Sequence, residues 1–205
     1  MKLAYHDVAA GEGRCDVVVL HRDVGTPTEP LDLIRATGRA RRLVAPWGDY
    51  AVYPSGMEIG GVTWYRLLRA STGTDAISLA KAVVQVADLL DDLAEACPRP
   101  ALVGWGQGGV VAAGVGLSFP DKVGSVACVD GPSADVAALP PSGEGALPPF
   151  LVAAADAGAT GDVEPIERLL GARGASVATW SFDGDGAAGD ALVGRLGTWL
   201  DDPTG

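Results

Sequence analysis

Apolar residues recur along this chain in two alternating rhythms. Short, nearly unbroken apolar runs occur at 15–20 (CDVVVL), 42–46 (RLVAP), 101–105 (ALVGW), 123–129, 150–155 and 176–182. Runs of this length with β-branched residues and no polar alternation predict strands buried on both faces, as in a parallel sheet. Between them the period changes. Across 74–96, Ile77, Ala80, Val83, Val84, Ala87, Leu90 and Ala94 return at three- and four-residue steps and predict an amphipathic helix, which Pro98 and Pro100 close. Further helices are predicted at 31–37 behind Pro27 and Pro30, from 107 to about 119, at 163–170 and at 190–200. Strand and helix alternate to the end, which predicts an α/β domain spanning 1–205, with a mostly parallel sheet between two helix layers.

Two stretches break the rhythm. Residues 47–69 hold Trp47, Tyr50, Tyr53, Met57, Trp64 and Tyr65 among glycines and prolines, and read as one long irregular loop. Such loops form pocket walls, or else plug the core edge with their aromatics. Trp47, Tyr53 and Trp64 are therefore candidate substrate-binding residues, joined by Trp105 at the end of the 101–105 strand. Residues 131–149 read as a second loop, rich in proline, glycine and alanine.

Composition narrows the partners. A net charge of -11 argues against nucleic acid or an anionic membrane surface, both of which want a basic face. No apolar run is long enough to span a bilayer, and the first residues lack a signal-peptide core. Cys15, Cys97 and Cys128 are odd in number and widely spaced, which predicts a reducing cytoplasm with neither a disulfide framework nor a thiolate metal site. With histidine only at His6 and His21, zinc is not expected, and no phosphate-cradling motif implies a nucleotide cofactor. The expected partner is a small molecule; homodimerisation is left open.

The chemistry concentrates at Gly104-Trp105-Gly106-Gln107-Gly108-Gly109, a glycine-dense turn between an apolar strand and a small-residue helix. This resembles the nucleophile elbow G-x-S-x-G of the α/β-hydrolase fold. Together with the Val17-Val18-Val19-Leu20-His21 strand end, Ala45-Pro46-Trp47-Gly48, Gly61-Val62-Thr63-Trp64-Tyr65 and Trp199-Leu200, it is similar to the small carboxylesterase/phospholipase (lysophospholipase-like) branch over nearly the whole chain. The resemblance implies a single compact domain without a large cap, and a Ser-His-Asp triad. Gly106 stands where the serine should be. Asp185, in Phe182-Asp183-Gly184-Asp185-Gly186, stands where the histidine should be, and no histidine follows His21. Asp156 at the end of the 150–155 strand is favoured for the acid, with Asp162 as the alternative. The oxyanion donors implied are the backbone N–H of Gln107 and one from the loop after Leu20, placed at Arg22.

His21 has two readings: a packed residue at a strand end, or an acid–base group paired with Asp23 or Asp185. Arg22, Asp23 and Asp185 could equally form a small salt-bridge network. Cys128 reads as core. Three functions are consistent with these residues. The preferred one is a non-hydrolytic acid–base catalyst of cyclase, isomerase or lyase type, acting on an apolar or aromatic small molecule, with His21, Asp23, Asp156 and Asp185 as candidate catalytic groups. A pseudo-hydrolase that binds a small ligand and an esterase using aspartate-activated water are the alternatives.

Overall fold

The structure, a computed structural model, describes residues 3–8, 15–37, 42–52, 60–67, 74–139, 144–155, 163–182 and 190–203. The continuous apolar runs become the centre of a seven-stranded sheet. Its strands are β1 (Tyr5–Val8), β2 (Cys15–Leu20), β3 (Arg42–Pro46), β6 (Ala101–Trp105), β7 (Ser125–Val129), β8 (Phe150–Ala155) and β9 (Val177–Phe182). They lie in the order β1-β3-β2-β6-β7-β8-β9. All neighbours are parallel except β1, which runs antiparallel to β3 along one edge. A separate two-stranded hairpin joins β4 (Tyr50–Val52) to β5 (Gly61–Thr63).

Side chains alternate across the sheet with the strand period of two, which divides the core. Val18 and Leu20 of β2 face one layer, against α2 (Ala76–Asp92), α3 (Gln107–Ser118) and α5 (Val163–Ala172). Val17 and Val19 face the other, against α1 (Thr28–Ala36) and α6 (Asp190–Asp201). A short helix α4 (Ser133–Ala137) follows β7. Helix α3 differs from the rest: every residue from Gln107 to Leu117 is buried. Its sequence is apolar and small all round, as a helix enclosed by its neighbours requires.

Several expectations are corrected here. Strand β1, the β4–β5 hairpin and α4 were not foreseen; each is short, and the last two fall inside stretches that read as loops. The buried face of α2 is Ser78, Leu79, Ala82, Val83, Gln85, Val86, Ala87, Leu89 and Leu90. Ile77, assigned to the apolar stripe, is 83% exposed, and Ala80, Val84 and Ala94 also face outward. Cys97 is disulfide-bonded while Cys128 is a buried free thiol. That corrects the expectation of a chain without a disulfide and removes the cysteine argument for a reducing compartment. Among the described residues no helix is long and apolar enough to cross a membrane.

Candidate functional site at the glycine elbow

From β2 the chain winds to β3 at one side of the sheet, whereas from β6 it winds through β7 and β8 to β9 at the other. The reversal makes the carboxyl ends of β2 and β6 the topological switch point of the sheet, the place where ligands settle in open α/β folds. Two turns meet there. Gly106, between β6 and α3, has φ 52° and ψ −121°, a conformation that side chains rarely adopt. Gly108 lies so close to the end of β2 that an added Cβ would meet the His21 carbonyl oxygen at 2.4 Å. The glycine density of the elbow thus serves one strained turn at Gly106 and close approaches of helix α3 to strands β2 and β6 at Gly108 and Gly104.

Asp23 fills the elbow. The Gln107 N–H donates to its Oδ1 at 2.6 Å. A Cβ added to Gly106 would lie 2.7 Å from that same oxygen. The carboxylate therefore occupies the volume of a nucleophile's side chain and accepts the hydrogen bond an oxyanion would take. The N-terminus of α3 favours negative charge there. The loop that delivers Asp23 is held hard: Val24, β-branched, sits at φ 45°. Gly25 and Val62 exchange two backbone hydrogen bonds at 3.2 Å, which fastens the loop to β5.

His21 lies fully buried beneath this turn. Its Nδ1–H donates to the Arg22 carbonyl at 2.7 Å, and its Nε2 accepts from the Gly48 N–H at 3.0 Å. These two bonds require the neutral ring with the proton on Nδ1. Burial lowers the pKa to about 4 against the hydrogen bond to Arg22 and the Asp23 charge. Trp64 stacks on the ring at 4.8 Å and donates its Nε1–H to the His21 carbonyl at 2.8 Å. Both ring nitrogens are engaged, so of its two readings His21 follows that of a packed residue at a strand end, and Asp23 bonds to Gln107 rather than to the ring.

A pH dependence follows. Between about 4 and 6.5 the unfolded chain binds a proton at His21 that the folded chain refuses. The stability tied to this group is whole above 6.5 and falls by about 3 kcal/mol as pH drops to 4. Asp135 opposes it, since burial raises its pKa and the folded chain keeps that proton into higher pH. Urea unfolding at pH 7 and pH 5 should show a marked loss of stability in the wild type and a smaller one in His21→Gln. An equal loss in both would exclude His21 as the cause.

The Gln107 side chain ties the elbow to the segment after β5. Its Oε1 accepts from the Trp64 N–H at 3.1 Å, the Tyr65 N–H at 3.3 Å and the Thr63 hydroxyl, and its Nε2 donates to the Tyr65 carbonyl at 3.3 Å. The Tyr65 hydroxyl donates to Asp135 Oδ2 at 2.6 Å, and Thr74 donates to Oδ1. Burial, then the Asp135 hydrogen bond, pushes the Tyr65 hydroxyl pKa upward. This cluster escaped sequence reading because 70 residues separate tyrosine from aspartate. Cys128 is enclosed, and burial pushes its thiol up to about 12. Asp130, at φ 50°, accepts the Ala155 N–H at 3.0 Å and joins the ends of β7 and β8.

The other expected site residues scatter. Trp64 and Trp105 are core residues at 1% and 3% exposure, which corrects their assignment to substrate binding. Trp105 packs with Trp199 and Leu196 on the α1/α6 face. Trp47 is half-buried beside His6 of β1, with ring centroids 5.6 Å apart. Arg22 is exposed and, among the described residues, makes no ion pair with Asp23. Tyr53, Asp156, Asp162 and Asp185 lie outside the described residues.

No family model and no curated protein matches this chain. Solved structures match its fold over nearly its full length. Esterase PE8 is 20% identical, with 98% of this chain and 99% of that one covered and a TM-score of 0.76. A carboxylesterase from Mesorhizobium loti is 20% identical, with coverages of 98% and 95% and a TM-score of 0.77. The Bacillus cereus carboxylesterase is 16% identical, with coverages of 97% and 93% and a TM-score of 0.75. The chain has the α/β-hydrolase fold, and the solved structures it resembles include carboxylesterases.

Proposed function

We propose that this protein is a pseudo-hydrolase that binds a small ligand at the elbow through hydrogen-bond-donating or cationic groups. The observation that carries this reading is the Asp23 Oδ1–Gln107 N contact of 2.6 Å beside a side-chain-free Gly106. An acyl-transfer site must leave its oxyanion donor open to the substrate. Here the chain's own carboxylate uses that donor, so the electrostatic sign of the site is reversed. Among the described residues no cation pairs with Asp23, which leaves that charge to a ligand. The expected ligand has an apolar or aromatic body, since small-molecule sites at the switch points of α/β sheets are mostly apolar.

A second reading, acid–base catalysis on such a molecule, is favoured by one observation. Asp23 Oδ2 has no hydrogen-bond partner among the described residues and is open to contact with a substrate. One experiment separates the two. Purified protein is incubated with small-molecule extract, and both the solution and the protein-bound fraction are compared by mass spectrometry with Asp23→Asn. A metabolite retained unchanged by the wild type and lost from the variant supports binding. A metabolite consumed by the wild type but not by the variant replaces this reading with acid–base catalysis. The same protein should leave p-nitrophenyl acetate unhydrolysed above the rate of heat-denatured sample and take no fluorophosphonate label. Labelling would overturn both readings.

A further inference from the structure

The two edges of the seven-stranded sheet are finished differently. Strand β1 closes one edge with four residues that include an ionised side chain, Asp7, paired with Arg42 of β3. Strand β9 closes the other with six residues, Val177-Ala178-Thr179-Trp180-Ser181-Phe182. It carries no charge and no proline, and its register against β8 is unbroken. Among the described residues no strand lies beyond it. Natural edges are kept from pairing by short length, charge, proline or bulges. β9 has none of these guards.

The backbone of β9 shows which groups are left over. The Phe150 N–H donates to the Ser176 carbonyl at 2.9 Å, and in a parallel ladder every second residue serves the same neighbour. Ala178, Trp180 and Phe182 therefore direct their backbone groups at β8, whereas Val177, Thr179 and Ser181 direct theirs outward. These three are symmetric about Thr179. A second copy turned antiparallel about that residue sets Val177 opposite Ser181 and Thr179 opposite itself, so each outward donor faces an outward acceptor. The Thr179 and Ser181 side chains are exposed and leave room for it. On the α1/α6 face, Trp180 is half-buried and stacked on Phe182 at 5.1 Å. The same turn places it opposite the small Ala178 of the second copy.

Charge on the neighbouring helix repeats this symmetry. Helix α5 packs on β9, and a groove of about 430 Å³ beside the strand is lined by Glu164, Glu167, Arg168, Gly171, Ala175 and Val177. The helix is acidic in its first half, at Glu164 and Glu167, and basic after it, at Arg168. Glu167 has no ion pair among the described residues. Beside an antiparallel second α5, Arg168 of each copy faces the acidic half of the other.

We propose that two copies of this chain pair their β9 strands antiparallel about Thr179, joining the two sheets through about six backbone hydrogen bonds. Sedimentation of the whole protein at about 100 μM should show the dimer. On dilution to about 1 μM, hydrogen exchange should speed up at the Val177, Thr179 and Ser181 amides and stay slow at Ala178 and Trp180. Thr179→Lys sets two ammonium groups opposite each other, and Thr179→Pro removes an outward donor at an edge position where proline is tolerated. Each should keep the wild-type circular dichroism spectrum and weaken dimerisation by about tenfold or more. Arg168→Glu should weaken it by a few-fold, and adding Glu167→Arg should restore it. A monomeric wild type would leave the edge to a strand of some other chain and overturn the assignment. So would a dimer as tight in Thr179→Lys and Thr179→Pro as in the wild type, or amides of β9 whose exchange ignores concentration.

Discussion

Gly106→Ser is expected to yield a less stable protein that still hydrolyses no ester. The new Cβ must adopt φ 52° and ψ −121°, and it enters within 2.7 Å of Asp23 Oδ1. The backbone strain is on the order of 1–3 kcal/mol. Expelling Asp23 from the Gln107 N–H removes a charge-assisted bond of similar size, reduced by solvent exposure. Together they lower stability by about 2–5 kcal/mol, or about 5–15 °C in melting temperature for a chain of this length. Asp23→Ala in the same background clears the collision, so the double variant should melt above Gly106→Ser alone. The cycle should show favourable coupling of about 1 kcal/mol or more. Additive losses would mean that Asp23 does not occupy the elbow in solution. Activity stays absent because a serine needs a base. Of the chain's two histidines, His21 has both nitrogens engaged and His6 lies on edge strand β1. Measurable acyl turnover by Gly106→Ser would reveal a proton acceptor at the elbow other than His21.

The largest loss of stability is expected from Gly108→Ala. Its Cβ would lie 2.4 Å from the His21 carbonyl oxygen and 2.7 Å from that of Leu20. Both are backbone atoms, one in strand β2 and one just beyond its end, so neither can turn aside as a flexible side chain would. Accommodation requires α3 to move off β2, which breaks the core between them. A cost above about 4 kcal/mol is expected, a large part of the roughly 5–15 kcal/mol that holds a domain together. The variant should express mainly as insoluble protein or melt far below the wild type by circular dichroism. Gly171→Ala is the matched control: on α5, an added Cβ there meets nothing within 4 Å. Alanine there should raise stability by up to about 1 kcal/mol through helix propensity. If the two variants melt alike, the close approach at Gly108 does not exist.

Local spacing made the strands that bear the site legible. β2, β3 and β8 fall at the positions that their apolar runs predict, and α3 starts where the glycine turn ends. Spacing was less informative on α2. There Ser78 and Gln85 are buried and Ile77 is not, because the approach of α3 and the sheet, rather than hydropathy, decides which side faces inward. The β4–β5 hairpin was illegible because three-residue strands leave almost no periodic signal.

The sequence by itself determined that this chain folds as alternating strands and helices around an elbow without a nucleophile, since these follow from residue identity and short-range period. Only the tertiary structure decided what occupies that elbow. A carboxylate 84 residues before the helix N-terminus it caps is drawn there by unpaired backbone donors and an oriented dipole. The same folding buries His21 between two backbone partners and leaves it neutral. Hydrogen-bond satisfaction between segments far apart in sequence is settled by packing, and no local pattern encodes it.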